Sequence, residues 1–227
     1  MALFGCASAA PLAGAAPAPE VKQLVAFRDG SVSEKQARAA PTAVRVRGRR
    51  CGVAQGTALS ALLRSRVGKV GLRDFGSCTR DGRDGGGLFV NAIRGERNRG
   101  TDGWTYKVGT RAATAGAADP SGPFGNGRLR RNQGVTWFYC RLRGGSCQRS
   151  LSLRFWFRGD LVVFDAKGYD DDGDGVAVPG ATIDYGSATL TTDSRGRAST
   201  AQLPGSFSVR VRKRTLVPSF AVRVTVG

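Results

Sequence analysis

The segment GWTYKVG at residues 103–109 decides the fold together with GVTWFYC at residues 134–140. In both segments β-branched or aromatic residues alternate with polar ones, which predicts two strands that each bury one face. They contain two of the three tryptophans of the chain, Trp104 and Trp137. Because aromatic side chains remove large apolar areas from water, we expect the main core to form around these two strands.

The residues before this pair of strands predict further strands to pair with it. An Asp-Gly turn at residues 29–30 favours a hairpin over residues 21–32. Alternation of apolar and polar residues favours two more strands, at residues 42–47 and 88–93.

A single helix is predicted after residue 56. Thr57 is a suitable N-cap, and Gly68 is a suitable residue to end the helix. The predicted apolar face consists of Leu59, Leu62, Leu63 and Val67. The order of elements is therefore strands, one helix and more strands, which is an α+β pattern.

The formal net charge of +18 is distributed unevenly along the chain. Residues 42–150 contain 21 Lys and Arg against 6 Asp and Glu, a net charge of +15, whereas residues 151–227 carry only +2. A positive field of this size attracts polyanions. An Arg-rich composition also follows from a GC-rich genome, so an anionic partner and a merely soluble surface both remain open.

The chain contains no His, and Glu occurs only at positions 20, 34 and 96. The lack of imidazole excludes His-based acid–base catalysis, Ser–His–Asp triads and almost all zinc chemistry. A carboxylate pair such as Glu96 and Asp102 is explained more simply as part of the loop between residues 94 and 103. We therefore predict that the protein is not an enzyme.

The N-terminal residues MALFGCASAAPLAGAAPA, 1–18, are small and apolar and resemble the end of a secretory signal without its positively charged start. LFGC at residues 3–6 approximates a lipoprotein cleavage box, so Cys6 is either a lipid anchor or is removed with the signal. No apolar run reaches the ~20 residues that span a bilayer. We predict a secreted or cell-surface protein in which residues 1–20 are signal-like or disordered.

Four cysteines remain after Cys6, and an even number in an exported chain predicts two disulfides. They do not show the Cys-x-x-Cys spacing of a metal site. Short loops favour the pairs Cys51–Cys78 and Cys140–Cys147. The crossed alternative, Cys51–Cys140 with Cys78–Cys147, stays open because both Cys51 and Cys140 follow predicted strands.

The order of these motifs resembles a known family over residues 42–143. The helix, the strand LFVNAIRG at residues 88–95 and the two aromatic strands follow one another as in the transcobalamin-like C-terminal domain family, a β-grasp-type module also found on bacterial surface proteins. Val108-Gly109 departs from the Asn-Gly of that family, and Asn132-Gln133-Gly134 departs from its acidic turn.

The resemblance implies a β-grasp-like α+β domain over residues 21–150 that captures a ligand. Cobalamin is the best-known ligand of the animal members, in which the module works beside a large helical domain. The sequence shows no such helical domain, so we do not expect cobalamin to be the ligand here.

The connector at residues 110–128 carries several turn signals around Phe124. Loops longer than ~12–15 residues are usually functional or disordered. We predict a compact loop, which is either a binding loop or an elaborate connection with Phe124 packed on the core. The candidate ligand-binding residues are Trp104, Tyr106, Phe124, Arg128 and Arg130.

Beyond residue 150 a series of short apolar or alternating segments predicts an antiparallel β-sandwich, with strands at residues 151–157, 161–164, 181–183, 188–192, 207–211 and 220–226. The segments YDDDGDG at residues 169–175, VPGAT at 178–182 and LPGSFSV at 203–209 resemble the prealbumin-like repeat domains of bacterial surface proteins. The resemblance covers residues 160–227. It implies an all-β domain over residues 151–227 with a stalk, spacer or adhesive role.

Three alternating carboxylates make this second domain a candidate for calcium. Asp170, Asp172 and Asp174 precede Gly175, an arrangement by which a loop wraps a hard cation. An EF-hand is excluded, because its twelfth position, counted from Asp170, is Ala181. The alternative interpretation is a solvated acidic turn without a metal.

These features predict an exported bacterial surface or extracellular binding protein that is monomeric and not enzymatic. Its ligand is an unidentified extracellular molecule or cell-wall polymer, and an anionic polymer is the candidate class. The first alternative is a purely structural or adhesive spacer. The second is a nucleic-acid binder, which the basic first domain suggests and which the disulfides and the export signal disfavour.

Overall fold

The computed structural model describes residues 16–76, 78–83 and 87–227 of the chain. Within them lie eighteen strands and one helix, which confirms the prediction of a mainly β protein. Most of the signal-like segment, including Cys6, lies outside the described residues. In the described part of the chain, no helix has the length and apolar character needed to cross a membrane.

The first ten strands build three sheets. They are β1 (Glu20–Ala26), β2 (Val32–Arg38), β3 (Thr42–Val46), β4 (Arg49–Val53), β5 (Val70–Asp74), β6 (Leu88–Ile93), β7 (Glu96–Arg97), β8 (Gly103–Val108), β9 (Arg111–Ala112) and β10 (Gly134–Cys140). The largest sheet has the order β2-β1-β10-β8-β9, with β1 parallel to β10 and the other neighbours antiparallel. The others are the hairpin β3-β4 and the sheet β5-β6-β7.

The two aromatic segments are neighbours, as predicted. Strands β8 and β10 pair with Tyr106 opposite Trp137 and Trp104 opposite Tyr139. The rings of Tyr106 and Trp137 stack with their centroids 5.0 Å apart, and those of Trp104 and Tyr139 meet edge to face at 6.0 Å. All four side chains belong to one large buried cluster, so the core of the first domain forms at this pair of strands.

The predicted helix is present but shorter than expected. Helix α1 spans Ala58–Arg64, and the N–H of Ser60 donates to the side chain of the predicted N-cap, Thr57. Leu59 and Leu62 are fully buried. The prediction that the helix reaches Gly68 is wrong, because Ser65 closes it and Arg66 has a positive φ of 53°.

Four short strands, β4, β5, β7 and β9, were not predicted. The sequences RRCGV of β4 and VGLRD of β5 combine charges with Gly and so have weak strand propensity. The two preferred disulfides are present, which rules out the crossed pairing. Cys51–Cys78 joins β4 to the segment after β5, and Cys140–Cys147 closes a loop after β10.

The second half of the chain forms two sheets around one core. Its strands are β11 (Ser150–Arg158), β12 (Leu161–Tyr169), β13 (Gly175–Ala177), β14 (Thr182–Tyr185), β15 (Ala188–Thr191), β16 (Arg197–Ala201), β17 (Gly205–Arg212) and β18 (Val222–Val226). One sheet consists of β11, β12, β13 and β16, and the other has the order β15-β14-β17-β18. Buried residues of both sheets form a single cluster, which fits the predicted sandwich. Strands β13 and β16 were not predicted.

A third buried cluster joins the two halves. Leu24, Ala26, Phe138 and Cys140 come from the far face of the first sheet, and Val217 comes from the second half. At the edge of this junction, Glu34 accepts a charged hydrogen bond from Arg210 and a hydrogen bond from the Ala221 N–H. The two halves therefore have separate main cores but pack directly against each other.

Candidate functional site

A cleft of about 520 Å³ lies at the junction between the two halves. Three segments line it: the turn after β1, the end of β10 with its disulfide loop, and residues 212–218 after β17. Its floor contains apolar residues of the junction cluster, among them Ala26, Phe138 and Val217. The cleft exists only because the two halves are packed together.

The cleft is lined by positive charge. Six of its lining residues are cationic, and none is Asp or Glu. The cationic residues are Arg28, Arg141, Arg143, Arg212, Lys213 and Arg214. All of them are exposed except Lys213, which is half-buried. Like charges that converge on a low-dielectric wall raise the local concentration of anions, so this surface is suited to bind negatively charged groups.

The disulfide loop holds Arg141 and Arg143 in place. The N–H of Arg141 donates to the Gln148 side chain at 2.9 Å, and Gln148 donates back to the Tyr139 carbonyl at 2.8 Å. Backbone bonds between Arg143 and Ser146, at 3.0 and 3.1 Å, close a tight turn. Its two central residues are Gly144 and Gly145, both with positive φ, as such a turn requires. The loop thus presents two guanidinium groups from a constrained backbone.

Three of the other cationic residues make individual contacts but no short ion pair. The guanidinium of Arg28 lies 5.0 Å from the centre of the Tyr139 ring. Lys213 donates to the Pro179 carbonyl at 2.6 Å. The ion pair of Arg212 with Asp184 is long, at 3.8 Å, and both side chains are about half exposed, so it neutralises little charge.

The five predicted ligand-binding residues do not meet at one site. Trp104 and Tyr106 are buried in the first core, where they donate to the carbonyls of Glu96 at 2.7 Å and Ala115 at 2.9 Å. They line a second cleft, of about 250 Å³. The remaining three residues line neither cleft: these are Phe124, Arg128 and Arg130.

The connector that holds Phe124 is compact and ordered by its own hydrogen bonds. The N–H of Thr114 donates to the Pro123 carbonyl at 3.0 Å, and the N–H of Leu59 in the helix donates to the Ala117 carbonyl at 2.7 Å. Phe124 packs against the first core beneath the guanidinium of Arg111, 5.5 Å from the ring centre. These contacts match the interpretation of an elaborate connection with Phe124 packed on the core.

Burial raises the pKa of Tyr106 above its ordinary value of 10.0. The folded protein keeps this proton at a pH where the unfolded chain has lost it. We therefore expect the free energy of unfolding to fall as the pH rises above 10.0. In the Tyr106→Phe variant the free energy of unfolding, measured by denaturant titration, should fall less between neutral and alkaline pH. Equal slopes in the two proteins would contradict this linkage.

The acidic loop of the candidate calcium site makes protein contacts of its own. Asp170 accepts from the N–H of Asp174 at 2.8 Å and lies 3.1 Å from the Arg149 guanidinium. The hydrogen bond from Asp174 lowers the pKa of Asp170 below its ordinary value. Asp172 and Asp174 lie in the same turn.

Among the described residues, only Cys51, Asp74 and Cys78 place three candidate metal-binding atoms within 4.8 Å of one another. Those two cysteines form a disulfide. Calcium binding at Asp170, Asp172 and Asp174 therefore stays a prediction. Millimolar calcium should raise the midpoint of thermal unfolding relative to the protein in chelator. An unchanged midpoint would contradict calcium binding.

Asp171, which the calcium pattern leaves out, contacts the first half of the chain through its carboxylate. Its side chain lies 3.2 Å from the Nζ atom of Lys107, and its other carboxylate oxygen accepts from the Cys147 N–H at 3.0 Å. Lys107 also donates to the carbonyls of Tyr169 at 3.0 Å and Asp170 at 2.7 Å. The loop therefore packs the second half of the chain against strand β8.

The sequence predicted the positive charge of residues 42–150 but not which cationic side chains converge at the junction cleft. The run Arg212-Lys213-Arg214 was a visible signal in an otherwise nearly neutral second half. Its pairing with Arg141 and Arg143 depends on how the two halves pack. No family model, curated protein or solved structure matches this chain.

Proposed function

We propose that this protein is an exported, non-enzymatic binding protein that holds an anionic extracellular polymer in the cleft between its two domains. The observation that carries the proposal is the convergence of six cationic side chains, without a lining carboxylate, on one cleft. The lining also offers few groups for proton transfer, because it contains no carboxylate. Binding is the chemistry that such a surface supports best.

Export is supported by the cysteines. The disulfides Cys51–Cys78 and Cys140–Cys147 indicate an oxidising environment such as the cell exterior. The signal-like residues 1–18 agree with that environment, and Cys6 is the proposed point of lipid attachment if the chain is anchored.

The strand order is consistent with the family resemblances proposed for the two halves. In the first half, the hairpin β1-β2 and the antiparallel strands β10 and β8 join through the parallel neighbours β1 and β10. The helix contacts the two hairpin strands. This is the arrangement expected of a β-grasp-like module. In the second, two antiparallel sheets around one core support a prealbumin-like module that presents the first.

A polymer fits this cleft better than a single anion does. The cations come from three separate segments, at residues 28, 141–143 and 212–214, so they line the cleft from more than one side. A chain of negative groups can engage several of them at once and release several counterions. Affinity for such a ligand falls steeply as the salt concentration rises.

The test removes the two cations that the disulfide loop presents. We expect Arg141→Gln with Arg143→Gln to weaken binding to inorganic polyphosphate by about 2- to 30-fold, since exposed ion pairs contribute about 0.2–1 kcal/mol each. The slope of log affinity against log salt should fall by about one unit per residue. Fluorescence anisotropy with a labelled polyphosphate measures both quantities.

A matched control changes the same charge elsewhere. Arg45 and Arg50 are exposed, lie opposite each other on β3 and β4, and do not line the cleft. Arg45→Gln with Arg50→Gln should leave binding within about twofold of the wild type, because side chains outside the lining act on a ligand in the cleft only through a field that salt screens. Equal losses in both double variants would indicate a diffuse basic surface. No binding of the wild type at low salt would favour the spacer alternative.

A further inference from the structure

Residues 94–102, which connect β6 to β8 and include β7, lie against one wall of the junction cleft, and we call them the rim segment. The guanidinium of Arg94 lies 4.8 Å from the centre of the ring of Phe27, which lines the cleft. The hydroxyl of Tyr139, another lining residue, donates to the Arg97 carbonyl at 3.2 Å. Among the described residues that line the cleft, none belongs to the rim segment. The segment therefore continues the surface beyond the edge of the cleft.

The rim segment meets the cleft at Arg28. The Arg28 N–H donates to both carboxylate oxygens of Glu96, at 3.2 and 3.3 Å, while its guanidinium lies over the Tyr139 ring. Because Arg28 lines the cleft and Glu96 belongs to the rim segment, the two surfaces are in direct contact here. Arg94 lies over the adjacent residue, Phe27, so the guanidinium groups of Arg28 and Arg94 flank the same edge of the cleft.

Arg99 lies on the side of the rim segment that faces the disulfide loop. Arg99 and Asp102 form an antiparallel bridge with two backbone hydrogen bonds of 2.9 Å. Residues opposed in this way carry their side chains on the same face. The Asp102 carboxylate accepts from the Leu142 N–H at 2.9 Å, between Arg141 and Arg143. Arg99 therefore adds a cation next to the disulfide loop.

The arginines at this edge have no carboxylate partner. Within the described residues, no carboxylate oxygen lies within 4.0 Å of a guanidinium nitrogen of Arg28, Arg94 or Arg99. The nearby carboxylates accept from backbone N–H groups instead, and they belong to Asp29, Glu96 and Asp102. These carboxylates reduce the local positive field but leave the guanidinium donors open to an anion from outside.

The backbone of the rim segment is held by a buried tryptophan. The indole N–H of Trp104 donates to the Glu96 carbonyl at 2.7 Å, and its backbone N–H donates to the Asn98 side chain at 2.9 Å. Asn98 in turn donates to the Val90 carbonyl at 3.2 Å. Trp104 is buried in the first core, so the arginines of the segment extend from a fixed backbone. A preorganised surface loses less entropy when it binds a ligand.

We propose that a polymer held in the junction cleft continues over the rim segment, where Arg94 and Arg99 bind further negative groups of the same chain. This inference rests on the proposed function, since it takes the anionic polymer in the cleft as its starting point. It adds a preference that the cleft alone does not explain, for a linear polyanion that is longer than the cleft. Each further negative group that pairs with a cation releases counterions and so adds to the affinity.

The test compares two probes of the same chemistry and different length. Inorganic tripolyphosphate is small relative to the cleft of about 520 Å³, so we expect it to contact only the lining. Long-chain polyphosphate also reaches the rim segment. Isothermal titration calorimetry at several salt concentrations measures the affinity and the salt dependence for each probe.

Arg94→Gln with Arg99→Gln should affect only the long probe. We expect its affinity for long-chain polyphosphate to fall about 2- to 30-fold, the range for the loss of two exposed ion pairs. The slope of log affinity against log salt should fall by about one unit per residue. The affinity for tripolyphosphate should stay within about twofold of the wild type, because salt screens charges outside the lining. Retained tripolyphosphate binding also shows that the variant is folded.

Two double variants serve as controls. Arg141→Gln with Arg143→Gln should weaken the binding of both probes, because both residues line the cleft. Arg45→Gln with Arg50→Gln removes the same charge from the hairpin β3-β4 and should leave both affinities within about twofold of the wild type.

Three results would overturn the proposal: an unchanged affinity for the long probe in Arg94→Gln with Arg99→Gln, an equal loss for both probes in that variant, or an equal loss for the long probe in Arg45→Gln with Arg50→Gln. In the first case, weaker binding of both probes by the double variant of the disulfide loop would still support the junction cleft as the binding site. Failure of the wild type to bind either probe at low salt would contradict the proposed function itself.

Discussion

Trp137→Ala is expected to lower the free energy of unfolding by about 3–5 kcal/mol, the range for removal of a buried aromatic side chain. Trp137 is the largest fully buried side chain among the described residues, and it stacks on Tyr106. Its loss would leave a cavity in the buried cluster that it forms with Leu59 and Leu62 of the helix. Chemical denaturation, with the transition slope compared between variants, measures the effect.

The control is the same substitution at an exposed tryptophan. Trp156 is 39% exposed on β11 and contacts Arg197, with 5.7 Å between the guanidinium and the ring centre. Trp156→Ala should cost about 1 kcal/mol, since Trp156 lies at the surface, belongs to none of the buried clusters and loses mainly its contact with Arg197. Similar losses in both variants would show that the first core does not depend on Trp137.

Lys107→Met is expected to cost about 3 kcal/mol and to loosen the contact between the domains. The ammonium of Lys107 is fully buried and lies against two carbonyls and the carboxylate of Asp171. Methionine keeps the aliphatic volume but leaves these oxygens without a cation. Removal of one partner of a buried pair costs about 3–5 kcal/mol, and the partial exposure of Asp171 places the effect at the lower end.

A double-mutant cycle isolates this interaction. Asp171→Asn alone should cost less than Lys107→Met, because the lysine keeps its two carbonyl acceptors. The two changes together should cost less than the sum of the single effects, with a coupling of about 0.5–3 kcal/mol. Additive effects would mean that the carboxylate does not stabilise the buried ammonium. Faster proteolysis near residues 141–149 would report the loosened junction.

The junction connects these predictions with the proposed function. Asp171 accepts a hydrogen bond from Cys147, whose disulfide closes the loop that presents Arg141 and Arg143. The same contacts that dock the second domain therefore also fix one wall of the basic cleft. We expect Lys107→Met to weaken polyphosphate binding as well as stability, although Lys107 does not line the cleft.

Local patterns in the sequence were sufficient to identify the elements that carry strong signals. The two aromatic strands, the strand at residues 88–93 and the Thr57 cap all depend on short-range chemistry: alternation with period two, β-branching, and a side chain that accepts from a nearby N–H. Strands such as β5 and β13 escaped prediction because their own residues favour no strand. They form because a neighbouring strand supplies hydrogen bonds.

The sequence by itself determined a mainly β protein with one helix, an even set of four cysteines after Cys6 that predicts two disulfides, and an excess of positive charge in residues 42–150. The structure then chose between the two cysteine pairings. Only the tertiary structure decided which charges converge and what the acidic loop contacts. Arg141 and Arg214 are distant in sequence but line one cleft, and Asp171 meets Lys107 across the domain boundary. The physical reason is that propensity and spacing act over a few residues, whereas a binding surface arises from the packing of distant segments.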